Sequence, residues 1–542
     1  MNHTNFARTG MLTRFGLRRD RMRLVVWIII LAGLMVTAAA ELDTVYGTQN
    51  EIQAIVNTLK SPGMVSLFGA FALEGRVSTA QVFANEMLLF MALAQIIMNF
   101  TLAVRATRAE EDSGVTEMIR AHAVGKLAPL AAAGFELLLV NSLIGVLYGL
   151  GLSAGDLPGA DPSGNWLMGL ALAACGLMFG MMALAVAQVA DHAGSATGIA
   201  YMLFGITFLV RMITDVENPD YTWWSPLGWI EKTLPYTDNN WIPVGYMALA
   251  AAALFLIALY ANLHRDMGAG ALSTRPGRRT ASPILAGPAT LFLRLVRTTV
   301  IAWILGVFAV GAMYGSIFGT IGDILKTNPT MQQVFGKAAV NSANHTILLN
   351  FLGLLTIIFA VLAAIPAIQM MNRLKKDESK GLLEVIYAKP VSRTRQFFTC
   401  LLTGMVSGAL VFLAGLGGTV VTGNSVLKSE AERITGSEFW TAFWGMLPAI
   451  LVMVACAALL VGWLPRLTGV LWLYLAYGFI ALYLGNLLQL PDWAKQLVPF
   501  GWPPEVPVHD VNGATFWWMI ALSIVLVIAG LIGYRHRDLN MG

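Results

Sequence analysis

The chain has 542 residues, 57% of them hydrophobic and only 12% charged, at a mean hydropathy of +0.67. Soluble domains carry about 25% charged residues, so the composition excludes a soluble globular protein and indicates one embedded in a membrane. The net charge is only +4, but arginine is concentrated, with six in residues 1–23 and six in residues 265–297. Both blocks abut apolar runs, as positive flanks of membrane helices do, and neither points to a nucleic-acid partner.

A spanning helix needs about 20 predominantly apolar residues. On that basis the first part of the chain holds spans at 22–42, 84–104, 127–152, 165–189, 196–214 and 242–263. After a basic stretch they resume at 299–321, 347–371, 397–422, 440–463, 467–488 and 514–534, giving twelve. The N-terminus is long and basic and lacks a small-residue cleavage site, so Met1–Ala40 does not read as a removable signal peptide. The basic stretches Phe15 to Arg23 and Leu291 to Arg297 read either as interfacial amphipathic helices or as ordinary positive flanks. Lys and Arg near the span ends place the N-terminus, the central linker and the C-terminus on the cytoplasmic side of the cell membrane. The Trp- and Pro-rich loops at 215–241 and 489–513 then fall outside. The acids Asp215, Glu217, Asp220, Glu231 and Asp238 make the first of these loops net negative.

One stretch occurs twice. Arg108, Glu110, Glu111, Gly114, Glu117, Ile119 and Lys126 recur at the same spacing as Lys375, Asp377, Glu378, Gly381, Glu384, Ile386 and Arg393. Each copy lies between the second and third spans of its half. As a continuous helix, each would align Glu110, Gly114 and Glu117, or Asp377, Gly381 and Glu384, on one acidic face. Val115, Met118 and Ile119, or Leu382, Val385 and Ile386, would then form the other face. A solvated loop helix is the plainer reading of a single copy; the matched pair points to a docking surface. Other marks repeat as well. Ser225-Pro226-Leu-Gly228-Trp229 answers to Val498-Pro499-Phe-Gly501-Trp502, His264-Arg265-Asp266 to His536-Arg537-Asp538, and Arg18, Arg21 and Trp27 to Arg294, Arg297 and Trp303. The expected organisation is therefore all-α: a first half at 1–268, a basic linker at 269–290 and a second half at 291–542. Six spans per half make the halves parallel repeats, two bundles facing a central pathway.

No phosphate loop, nucleophile elbow, zinc-helix motif or acid cluster occurs in the chain, so no catalytic residue is expected in it. Cys175, Cys400 and Cys456 lie in apolar runs without disulfide or metal spacing. The His-Arg-Asp triplets sit at span ends, where satisfying helix carbonyls is their natural role. Polar groups within spans are costly and hence functional candidates. Glu136 and Asn141 in the third span, with Gln95 and Asn99 in the second, are the candidates for a substrate pathway, against the plainer reading of interhelical hydrogen bonding for the amides.

The six-span half with its basic entry, acidic segment and outer Pro-Leu-Gly-Trp loop resembles the ABC-2 type exporter permeases. The fused form, with His-Arg-Asp-Met-Gly-Ala-Gly at 264–270, is similar to the actinobacterial polyketide-antibiotic (tetronasin-type) exporter permeases, over essentially the whole chain. The resemblance implies a type V exporter fold and coupling helices at 108–121 and 375–388. Through Glu110, Glu111, Gly114, Glu117, Asp377, Glu378, Gly381 and Glu384 these would dock on two copies of a separately encoded ABC ATPase. ATP and magnesium would bind to that partner and no cofactor to this chain. It also implies extracellular gate loops carrying Pro226, Trp229, Pro499 and Trp502, and export of a hydrophobic or amphipathic small molecule such as an antibiotic. The first copy has Ala123 where the second has Pro390, which leaves the end of the first coupling helix open. A proton-coupled secondary multidrug transporter would share twelve spans in parallel halves, and a lipid-modifying membrane enzyme is a third class; the signature loop of the one and the clustered acids or histidines of the other are absent.

Overall fold

The structure, a computed structural model, describes the chain except for residues 1–2, 46–48, 61, 72–74, 156, 267, 269, 271–279, 284, 286, 320–343, 428, 484–490 and 539–542. Among the described residues it is entirely helical, and twelve helices are long and apolar enough to cross a membrane. The chain divides into two compact units, Met1–Gly277 and Arg278–Gly542. Of the expected linker, residues 271–279 lie outside the described residues.

In the first unit the spans are Thr9–Ala40, Thr79–Asp112, Ala128–Ala154, Pro162–Val189, Ala193–Glu217 and Ile242–His264, here spans 1 to 6. Spans 2, 3 and 4 form its interior, with span 4 packed against spans 2, 3, 5 and 6 and span 1 closing on span 3. Spans 1, 5 and 6 turn large apolar side chains such as Ile29, Leu209 and Leu249 outward, the face a lipid solvent would cover. The second unit holds Pro288–Ser316, His345–Ser379, Arg393–Val426, Gly436–Trp463, Pro465–Leu482 and Gly513–His536, spans 7 to 12. It repeats the plan: spans 8, 9 and 10 lie inside, span 7 packs on span 9 and span 12 on span 10. In lipid, helices gain little from burying apolar surface against each other and associate through close backbone approach. Spans 10 and 12 do this where Gly462 lies against the Gly530 backbone and Gly530 against that of Ala458, so neither position has room for a Cβ.

Two expectations change. The basic stretches Phe15 to Arg23 and Leu291 to Arg297 are not separate interfacial helices. They are the opening turns of the helices Thr9–Val45 and Pro288–Ser316, because nothing in either stretch breaks the helix. The repeated acidic segments are not continuous helices either. Gly114 has φ +77° and Gly381 has φ +68°, a left-handed conformation that glycine adopts without the Cβ penalty. Each glycine therefore ends the second span of its half, as glycine does at helix C-termini, and starts a new short helix, Val115–Arg120 in one half and Leu382–Tyr387 in the other. The segment is an elbow. Short helices at Gln49–Leu59 and Pro62–Phe68, between spans 1 and 2, had no counterpart in the sequence reading because neither is long enough to register as a span.

Candidate functional site: two clasped elbows

Span 2 ends in a π-helical turn, Arg105–Ala109, followed by Glu110–Asp112, and the bend at Gly114 then redirects the chain into Val115–Arg120. This divides the acids between two elements. Glu110 and Glu111 belong to the end of the span, whereas Glu117 sits in the first turn of the elbow helix. The second half has the same division, with Asp377 and Glu378 before the bend and Glu384 after it.

The buried acids face inward. Glu111 accepts from Arg265 Nη1 at 2.8 Å and from Arg265 Nη2 at 2.6 Å, a bidentate fork between the end of span 2 and the end of span 6. Arg108, fully buried, donates to Glu111 at 2.8 Å, and the Gly268 N–H donates at 2.8 Å. In the second half Glu378 is held in the same way by Arg537, through Nη1 at 2.8 Å and a second contact from Nη2. The planar guanidinium matches both carboxylate oxygens at once, which a lysine cannot do. The arginines of the two His-Arg-Asp triplets are thus the partners of the repeated glutamates. The base that closes each copy of the motif also has a place. Lys126 donates to the Leu263 carbonyl at 2.8 Å, and Arg393 to the Arg537 carbonyl at 3.0 Å, so each caps the last turn of the sixth span of its half. Each elbow is therefore tied at both ends to one helix terminus.

Glu110 is paired with Arg19 of span 1, while Asp377 lies 3.7 Å from Arg373 of its own helix. What remains outside is the tip. Glu117 and Glu384 are exposed, as are Val115, Met118, Leu382 and Val385; Met118 and Val385 are over 70% exposed. Ile119 and Ile386 are half-buried while the rest of each apolar face is exposed, so acidic and apolar side chains share each tip. The second tip is further fixed by Tyr387, whose hydroxyl meets that of Tyr534 in span 12 at 2.8 Å.

Three of the four expected pathway residues come together inside the first unit. Gln95 donates to Asn141 Oδ1 at 2.8 Å, Asn99 to the same oxygen at 3.0 Å, and Asn141 to Asn99 Oδ1 at 2.7 Å. All three are buried, and span 4 seals the cluster by laying Gly176 against it. They bond spans 2 and 3 to each other. Glu136 is also buried but lies apart from them, against Gly16 of span 1.

At the opposite end of the spans, the Trp/Pro loops are packed alike. The indole of Trp229 donates to the Trp223 carbonyl at 2.8 Å and that of Trp502 to the Gln496 carbonyl at 2.7 Å, six residues back in each case. Pro226 is half-buried and Pro499 buried. Sequence reasoning treated Asp215 and Glu231 as loop charges, but both serve the buried Arg211 of span 5. Asp215 lies 3.4 Å away and Glu231 accepts at 2.9 Å. The available signal was Arg211 itself, since a cation inside a span calls for nearby anions. Burial pushes the Glu231 carboxyl up to about 8, against the pull of Arg211.

A family profile described as "Multidrug efflux system permease Rv1217c, C-terminal domain" matches the chain twice, at residues 13–262 and 285–535, one match to each half. The multidrug efflux system permease protein Rv1217c of Mycobacterium tuberculosis (strain ATCC 25618 / H37Rv) is 30% identical over 543 aligned residues, covering 99% of this chain and 96% of that protein. Twelve apolar spans, a repeated six-span plan and a doubled family match agree: the chain belongs to the Rv1217c family of multidrug efflux permeases.

Proposed function

We propose that the chain is the transmembrane subunit of an ATP-driven ABC exporter, moving amphipathic antibiotics or other lipophilic drugs outward with energy from a separately encoded ATPase. The reading rests on the elbow tips. Two short helices of matched sequence each present an exposed acid beside exposed apolar side chains, Glu117 with Met118 and Glu384 with Val385, and each is braced from behind by an arginine fork. An apolar centre rimmed by charge is what a protein partner's cleft requires. Two such tips suit two copies of one ATPase, which would bind the ATP and magnesium.

The clasps suggest how force is passed on. A push on a tip reaches the end of the second span through the backbone and the end of the sixth through the fork and the capped carbonyls. Closure of the ATPase pair would then shift both helices of a half together, and in both halves at once. Glu110, through Arg19, extends the contact of the first elbow to span 1. With the basic termini and the elbows cytoplasmic, the Trp/Pro loops would form the outer gate. The polyketide specificity of the resembling exporters is one option within the amphipathic drug class.

The test is drug efflux from proteoliposomes that hold the permease with its co-encoded ATPase. The reading expects accumulation of a fluorescent amphiphile on the far side only with ATP and magnesium, and none with the permease alone. Uptake by the permease alone under an imposed proton gradient would refute it and make the protein a secondary transporter.

A further inference from the structure

The clasp of the second half opens onto a cavity of ≈ 370 Å³ lined by Lys375, Glu378, Trp463, Leu464, Arg466 and Arg537, among others. Its one carboxylate is occupied by the Arg537 fork, so Lys375 and Arg466 are left in excess. Lys375 donates to the Thr468 hydroxyl at 3.0 Å, a neutral partner. Arg466 is exposed and has no hydrogen bond or ion pair among the described residues. Trp463, Leu464 and Leu467, all about half exposed, supply an apolar rim at the ends of spans 10 and 11.

The corresponding place in the first half is lined differently. The stretch after span 4, Val189 to Asp191, corresponds to Trp463 to Pro465 after span 10. Chain following Arg265 lies against it: the Gly270 N–H donates to Asp191 at 2.9 Å and that of Gly268 to Glu111 at 2.8 Å. Asp112 accepts from the Ala193 N–H at 2.7 Å. That side is acidic and satisfied by backbone donors, whereas the second-half lining holds Lys375 and Arg466.

We propose that the cavity at the ends of spans 8, 10, 11 and 12 is a binding site for the phosphate of an anionic phospholipid. Lys375 and Arg466, neither matched by a carboxylate, supply the phosphate contacts. The tryptophan and leucines at the span ends lie where acyl chains and glycerol would pass, and basic pockets between spanning helices are suited to such headgroups. Free phosphate shares the headgroup chemistry but has no use for the apolar rim. A lipid held here touches the Glu378–Arg537 clasp, so its presence would stiffen one elbow and not the other.

The experiment is native mass spectrometry of the full-length permease in detergent, delipidated and titrated with dioleoyl phosphatidylglycerol, phosphatidylcholine or inorganic phosphate. We expect one phosphatidylglycerol retained in preference to phosphatidylcholine. The K375Q/R466Q variant should weaken that binding about 30-fold, the sum expected for two interfacial cations. R466E alters a side chain with no partner among the described residues, so it should abolish retention without disturbing the fold, while Asp191→Asn in the first half should leave it unchanged. Retention by R466E equal to that of the unaltered chain, or equal binding of phosphatidylcholine, would overturn the proposal. Displacement of the lipid by inorganic phosphate at equal concentration would overturn the lipid assignment.

Discussion

Cutting one arginine fork is the perturbation whose size follows most directly from the geometry. Removing one member of a buried ion pair costs about 3–5 kcal/mol, because the survivor keeps its desolvation penalty without its counter-charge. Glu378→Gln strands Arg537, whose side chain keeps 18% of its exposure, so the cost belongs at the low end, about 3 kcal/mol. Glu111→Gln strands Arg265 and also Arg108, which has no exposure at all, and loosens the Gly268 N–H, so about 5 kcal/mol is expected. At roughly 2 °C per kcal/mol for a unit of this size, thermal midpoints in detergent should fall by about 6 °C and about 10 °C respectively. Hydrogen exchange should accelerate in residues 379–391 for the first variant and 112–126 for the second, because the freed elbow loses its anchor. Arg537→Lys should cost less than Glu378→Gln, keeping the charge without the fork. Midpoints within 1–2 °C of the parent chain for both glutamine variants, or equal losses for the two, would refute the reasoning, since the partners are so unequal in number.

Gly114→Ala and Gly381→Ala should each cost about 1–2 kcal/mol, the penalty of a left-handed backbone for a residue with a Cβ, and asparagine at either position should cost less; melting of the four variants checks this. Asn141→Leu should cost about 1–3 kcal/mol by leaving Gln95 and Asn99 buried without their shared partner, and replacing all three amides with apolar residues should cost less than replacing Asn141 alone. Burial raises Glu231 to about 8 from its ordinary 4.5, so between those values the folded chain holds a proton that the unfolded chain has released. That contribution is full at low pH and is lost as pH rises through about 8, so the thermal midpoint should decline from pH 5 to pH 8 more steeply than in Glu231→Gln.

The number of spans, the repeat and the positions of the polar segments were legible because each is a local pattern: a run of about 20 apolar residues, or a spacing repeated after about 270 residues. The forks were not. Glu111 and Arg265 are separated by 154 positions, and Glu378 and Arg537 by 159, and nothing in either stretch alone says that the repeated acid and the repeated arginine are partners. Both motifs were visible as doubled letters; their contact was visible only in the fold. The assumption of continuous helical periodicity failed at Gly114 and Gly381 for a physical reason, since their left-handed conformation breaks the helix and divides the acids between two elements. The amides Gln95, Asn99 and Asn141 could be named but not placed, because a polar group within a span can either line an opening or bond to a neighbour, and the choice depends on facing helices. The ion pair of Arg211 was hidden for the same reason, its partner Glu231 arriving from a loop 20 residues on.

Affinity purification of the tagged permease from its own membrane, followed by assay of the eluate for ATP hydrolysis, tests the central claim about the elbow tips. Glu117→Lys and Glu384→Lys alter exposed side chains and should leave the thermal midpoint unchanged. The account predicts that a nucleotide-hydrolysing subunit comes down with the unaltered chain and is lost from the double variant. Equal recovery of that subunit with both chains, or a permease that purifies alone under mild detergent, would contradict it.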